Sequence, residues 1–228
     1  MNENVKRRYR SDLRAKQAAT TRRAIVHAAG QLFVTAGFGA TTVDAVAAEA
    51  GVSRKTVFAA VGGKVDMLRF AIEWAVAGDD EPVPLQERPE VCELLALTDP
   101  VALLRAWAGV LVDIDARVAA LWRALDVAAE LDDQARELHS TLSAQRLTSA
   151  RTVIDRLIEI GTLRDDVSRT EARDIAWLAG DPALFDRLVR QRRWAVGRFE
   201  TWLAAHLVSE LLGDVPRRSQ PKNAAASS

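Results

Sequence analysis

The chain has 228 residues; 40 Ala, 25 Leu and 26 Arg, all strong helix formers, stand against 12 Gly and 7 Pro. One Cys excludes a disulfide framework within the chain, three scattered His argue against a metal cluster, and no apolar run reaches the ~20 residues of a membrane span. Formal net charge is zero, yet residues 1–69 hold 12 basic and 5 acidic residues, a net +7 that residues 70–228 balance with −7. The basic start has no apolar h-region, which argues against a secretory signal, so the expectation is a helical, cytoplasmic protein. A basic end suits a polyanion partner; a solvated basic tail is the bland alternative.

Residues 1–17 crowd Arg7, Arg8, Arg10, Arg14 and Lys16 without an apolar period, and read as a flexible arm. Residues 18–36 read as a helix through Ile25, Ala28, Ala29, Leu32 and Phe33, stopped by Gly37. Thr41 or Thr42 can cap a short helix from Val43 to Ala50, ended by Gly51; Ser53 caps the next, from Arg54 to about Ala60. Gly62-Gly63 breaks the chain before a helix from Lys64 to about Ala77. A loop rich in Asp, Glu and Pro follows, then a short helical segment near Val91–Leu97. Asp99-Pro100 opens a helix to about Asp115; further helices are expected over 117–130, 132–160, from Ser168 or Thr170 to Ala179, from Asp181-Pro182 to about Gln191, and 195–212. Residues 214–228 have almost no large apolar side chains and should be disordered.

The pair of short helices joined by Ala50-Gly51-Val52-Ser53 has the proportions of a helix-turn-helix. The second helix of such a unit can lie in a DNA major groove with its N-terminal residues at the base edges. Those residues are Ser53, Arg54, Lys55 and Thr56; Arg and Lys suit guanine O6 and N7. Thr41 and Thr42 could aim hydroxyls and free N–H groups at a phosphate, and Lys64 opens a helix whose dipole would attract one.

Arg22–Leu68 resembles the DNA-binding domain of the tetracycline-repressor (TetR) family of bacterial transcription regulators. It carries R-x-x-I-V-x-A-A-x-x-L-F-x-x-x-G-F from Arg22 to Phe38, T-T-V-x-x-V-A-x-x-A-G-V-S from Thr41 to Ser53, and T-V-F at Thr56–Phe58, then Lys64 and Leu68. The resemblance implies an all-α fold of about nine to ten helices: an N-terminal three-helix helix-turn-helix domain over 18–65, then an all-α ligand-binding and dimerisation domain over 66–213. It implies a homodimer on a double-stranded DNA operator, with Arg22, Thr41, Thr42, Ser53, Arg54, Lys55, Thr56, Phe58 and Lys64 as the DNA-binding residues. The sequence departs from the family after Phe58, where Ala59-Ala60-Val61 replaces the usual aromatic or His pair. Family tyrosines there often reach phosphate through the hydroxyl, whereas Phe58 could touch a thymine methyl only.

Five of the six Trp follow the linker. Trp107, Trp122 and Trp177 could line an apolar effector pocket, with Arg146 pairing an acidic group of the ligand; core or interface tryptophans and a solvated arginine are the alternatives. Trp194 and Trp202 fall by the last helix, which the resemblance assigns to dimerisation. His27 is expected to be exposed, Cys92 to be a buried small hydrophobe, and His139 and His206 lack the neighbours a metal site needs. No nucleophile–base set, phosphate loop or nucleophile elbow marks an enzyme, and no cofactor or metal is expected. The expected function is a DNA-binding repressor released by a small, mostly apolar effector; a helical ligand-binding or interaction protein with a weakened DNA-binding unit is the alternative.

Overall fold

A computed structural model describes residues 3–81, 83–161 and 163–212. The tail expected over 214–228 lies outside the described residues. Among these the secondary structure is entirely helical: α1 (Glu3–Thr35), α2 (Gly37–Ala40), α3 (Val43–Glu49), α4 (Arg54–Ala60), α5 (Lys64–Ala77), α6 (Pro89–Ala96), α7 (Pro100–Leu131), α8 (Asp133–Ile160), α9 (Arg169–Ala179), α10 (Pro182–Phe185) and α11 (Val196–Leu212). The starts are written in capping residues, each satisfying one backbone N–H that the helix leaves without a partner. Thr42 Oγ1 accepts from Ala45 N at 3.1 Å, Ser53 Oγ from Thr56 N at 3.1 Å, Asp99 from Ala102 N at 2.7 Å and Asp132 from Ala135 N at 3.0 Å. Ser168 and Glu171 form a reciprocal capping box at the head of α9.

Three elements differ from the sequence expectation. The first helix begins at Glu3, not at 18, so the segment read as a flexible arm is helical from residue 3 onward. Its Arg, Lys, Gln and Ala are good helix formers, and a helix propagates through them without needing an apolar face. Residues 100–131 form one helix of 32 residues, not two separated near Asp115. Asp115 does not cap a new helix; it is buried on the inner face of α7. Residues 186–191, expected to continue the α-helix from Pro182, wind as a π-helical turn.

Two hydrophobic cores share α7. The first gathers Ile25 and Phe33 of α1, Val46 of α3, Val57 of α4, and Met67, Leu68 and Ile72 of α5. They close over Trp122, Leu125 and Ala128 of α7 and over Leu138 and Leu142 of α8. The second packs the N-terminal half of α7 (Leu103, Leu104, Trp107, Val112) against α8, α9 and α11 through Ile154, Leu157, Ala176, Phe199, Leu203 and Leu207. Each large side chain buried this way contributes about 1.5–3 kcal/mol. Arg117 ties the two halves by polar bonds: its Nε donates to Ala75 O at 2.7 Å and its Nη2 to Val76 O at 3.2 Å. These carbonyls belong to the last turn of α5, where the helix itself supplies no donors.

The chain leaves α4 through Gly62, whose φ is +116°. A Cβ there would lie 2.4 Å from Asp66 Oδ2, the oxygen that accepts from Gly63 N at 2.9 Å to cap α5. Gly62→Ala therefore imposes backbone strain and breaks a cap together. It should destabilise the protein by about 2 kcal/mol, read as a melting temperature lowered by about 4–8 °C, whereas Gly63→Ala should change it far less.

Candidate functional site

The turn between α3 and α4 is set by Gly51, at φ +67°, and by the bond from Val52 N to Ala47 O at 2.9 Å. Val46 and Val57 bury completely on the inner sides of the two helices, which leaves Arg54, Lys55, Phe58 and Ala59 on the exposed side of α4. Arg54 Nη1 donates to Asp44 Oδ2 at 2.7 Å, bringing the N-terminal ends of α3 and α4 to one surface. Its guanidinium also lies 5.6 Å from the centre of the Phe58 ring, and Phe58 remains 47% exposed. Both members of the Arg54–Asp44 pair are well exposed, so the pair contributes less than about 1 kcal/mol and can open toward a stronger acceptor. Ser53 and Thr56 hydroxyls sit 2.8 Å apart at the start of α4, and Thr42 is exposed at the start of α3.

Three of the residues expected to touch DNA are placed otherwise. Thr41 is 2% exposed; its hydroxyl donates to Gly37 O at 2.8 Å and its backbone N–H to the same carbonyl at 3.2 Å. It therefore has no donor to offer a phosphate, whereas Thr42 is exposed. Lys64 lays its ammonium 4.1 Å from the Phe38 ring centre and 3.4 Å from Gly39 O, and partial burial lowers its pKa. Arg22 Nε donates to Ala60 O at 3.0 Å while its guanidinium stacks 5.0 Å from Phe70, so it closes the C-terminal end of α4. The alanines at 59 and 60 thus end a recognition helix whose last carbonyls are served from α1.

Trp107, Trp122, Trp177 and Arg146, taken from four separate positions in the sequence, line one cavity of about 460 Å³ between α7, α8, α9 and the start of α10. Leu111, Ile114, Val118 and Leu142 complete much of its apolar wall. Arg146 is not a solvated surface residue. Its guanidinium sits between the rings of Trp122 and Trp177, at 5.1 and 5.4 Å, while Nε donates to Gly180 O at 3.1 Å and Nη2 to Trp177 O at 3.0 Å. Trp177 in turn donates its indole N–H to Ser143 O at 3.3 Å.

Asp115 also lines this cavity and was not a candidate from the sequence. It is 2% exposed, and its Oδ2 has no hydrogen-bond partner among the described residues. Burial pushes its pKa well above the usual carboxylate range; Arg146 opposes the rise and Asp181 adds to it. The signal lay in register: Leu111, Asp115, Val118 and Trp122 share one face of a continuous helix. Trp194 and Trp202 lie elsewhere, edge to face at 6.2 Å, with His206 stacked on Trp202 at 5.5 Å. Cys92, expected to be buried, is exposed beside Gln86. His27 is exposed. Among the described residues no group of three or more His, Cys, Asp or Glu is arranged to hold a metal, and no helix is long and apolar enough to cross a membrane.

No curated protein matches the chain. Several solved structures share its fold. A protein from Saccharomonospora viridis in complex with choline is 20% identical with a TM-score of 0.61, the match covering 83% of this chain and 96% of that one. NalD of Pseudomonas aeruginosa, the secondary repressor of the MexAB-OprM multidrug efflux pump, is 18% identical with a TM-score of 0.59, covering 84% and 96%. A transcriptional regulator from Rhodococcus sp. Rha1 is 20% identical with a TM-score of 0.58, covering 86% and 99%. At these identities the likeness is one of fold. Residues 15–69 match the model of bacterial regulatory proteins of the tetR family. The helix-turn-helix surface thus lies in a segment that matches that family, and the helical body shares the fold of the regulators named above.

Proposed function

We propose that the protein is a homodimeric repressor that holds a palindromic operator and leaves it when a small, mostly apolar effector enters the α7–α9 cavity. The observation that carries this reading is the place of Trp122. It is 5% exposed, belongs to the core beneath the DNA-binding helices, and also lines the cavity. An effector that shifts its indole therefore presses on the platform of α1 and α5 from below. Release requires only that the effector bind more tightly to the conformation whose recognition helices are wrongly spaced. Two-fold symmetry implies half-sites about one helical turn, or a multiple, apart.

The DNA-reading part rests on Thr42, Ser53, Arg54, Lys55, Thr56 and Phe58. A titration against the DNA upstream of the gene and its divergent neighbour, at two salt concentrations, tests it. Arg54→Ala with Lys55→Ala should weaken operator binding by about 10–100-fold, from one or two lost base or phosphate contacts. Equal, weak binding of the wild type to operator and unrelated DNA would instead favour a ligand-binding protein with a weakened DNA reader. That second reading draws on Thr41 and Lys64, whose donors are engaged inside the protein, and on Ala59, which has no hydroxyl.

The N-terminal extension of α1 supplies the basic charge that the recognition helix lacks toward its C-terminal end. Deleting residues 1–17 should lower operator affinity at least tenfold and flatten the slope of log K against log salt by about 2, since each phosphate contact contributes about 0.9. Unchanged affinity and slope would show that the segment makes no DNA contact.

A further inference from the structure

The cavity also says something about the chemistry of what enters it, provided it is the effector site proposed above. Its walls are apolar and aromatic, and its polar groups are unequally satisfied. Arg146, the one guanidinium lining it, gives two of its N–H groups to the carbonyls of Gly180 and Trp177, stacks between two indoles and lies 4.0 Å from Asp181. Asp115 is the opposite case: a nearly inaccessible carboxyl whose Oδ2 accepts nothing. A buried acceptor without a donor is costly, and the cost is removed by whatever brings one.

The geometry points to an organic amine as the ligand class: a protonated ammonium donating to Asp115, on an apolar body lying among Trp107, Trp122 and Trp177. An anionic ligand would meet an arginine whose Nε and Nη2 are already bonded to carbonyls, beside the Asp115 carboxyl. The indole faces suit the carbon atoms next to a cationic nitrogen as well as an apolar chain. The surrounding charges agree. Asp181 precedes α10, Asp126 stands further along α7 paired at 3.2 Å with His139 of α8, and Arg146 is the opposing cation.

The charge state gives the pH dependence. Burial holds Asp115 protonated to a higher pH than an ordinary aspartate. An ammonium pairs best with the ionised form, so binding releases a proton and tightens as pH rises. The trend continues until the ligand's own amine loses its proton near pH 10. Arg146 and Asp181 also act on Asp115, and His139 pairs with Asp126 farther along α7, so Asp115→Asn is needed to assign the effect.

Calorimetry on the full chain with n-octylammonium, 1-octanol and octanoate, equal in chain length and different in head group, tests the assignment at pH 8 and pH 6. Octylammonium should bind at least tenfold more tightly than octanol at pH 8, and octanoate least. The preference should shrink at pH 6, and heats in two buffers of different ionisation enthalpy should report proton release. Asp115→Asn should abolish the preference for octylammonium over octanol. Octanoate binding more tightly than octylammonium, or a preference unchanged in Asp115→Asn, overturns the inference. If that variant does not fold, the wild-type ranking and its pH dependence decide. Octanol binding without head-group preference defeats this inference alone; failure of all three to bind defeats the effector-site reading with it.

Discussion

The structure depends on the continuity of α7. A helix of 32 residues is about 48 Å long, enough to serve two hydrophobic cores in succession. Its N-terminal half is packed by α8, α9 and α11, and its C-terminal half lies under α1 and α5. Because a helix is stiff along its axis, neither core can move relative to the other without a shift of α7 or a loss of its contacts. Arg117 reinforces this by closing the last turn of α5 from the side of α7. The DNA-binding helices are therefore not tethered by a flexible linker. They stand on the same rod that walls the cavity, and an effector mechanism needs no route beyond that rod.

The recognition surface is organised by a different constraint, the satisfaction of helix ends. Thr42 and Ser53 each spend a lone pair on a cap; Thr42 keeps a hydroxyl proton that can turn outward, whereas the Ser53 hydroxyl also shares a hydrogen bond with Thr56 Oγ1. Thr41 spends its proton on Gly37 O and is lost to the interface. Arg22 spends its Nε–H on Ala60 O. Adjacent threonines of the same chemistry thus differ in availability because one precedes α3 as its cap and the other closes α2. Charge placed on the exposed side of α4 by Arg54 and Lys55 is not committed in this way, since the Asp44 pair is solvent-exposed and weak.

The helix-turn-helix was legible in the sequence because its signals are local. Gly51, Ser53 and Thr42 act within three or four residues, and the apolar positions 46 and 57 need only each other. The continuity of α7 through Asp115 is not legible for the same local reason. Aspartate is a strong capping residue, and nothing nearby reveals that this one points inward. Only an unbroken α7 joins Leu111, Asp115, Val118 and Trp122 in one period and so places a carboxyl on an apolar face. Trp107, Trp122, Arg146 and Trp177 line one cavity although they are far apart in the sequence. The burial of Arg146 depends on carbonyls at Trp177 and Gly180, which come from another helix and cannot be read from its neighbours.

Asp115 marks the point where these arguments meet. It sits near the middle of α7, between Trp107 on one side and Trp122 on the other, and lines the same cavity as both. A helix that must only fill space would carry a leucine there, since a buried carboxyl without a partner destabilises the free protein. On the proposed reading that destabilisation is relieved only when a donor arrives, so part of the ligand's binding energy reflects the removal of an existing strain. The relief acts on the element that both cores share. A ligand that interacts with Asp115 differently in two positions of α7 thereby has the differential affinity that any shift in population requires.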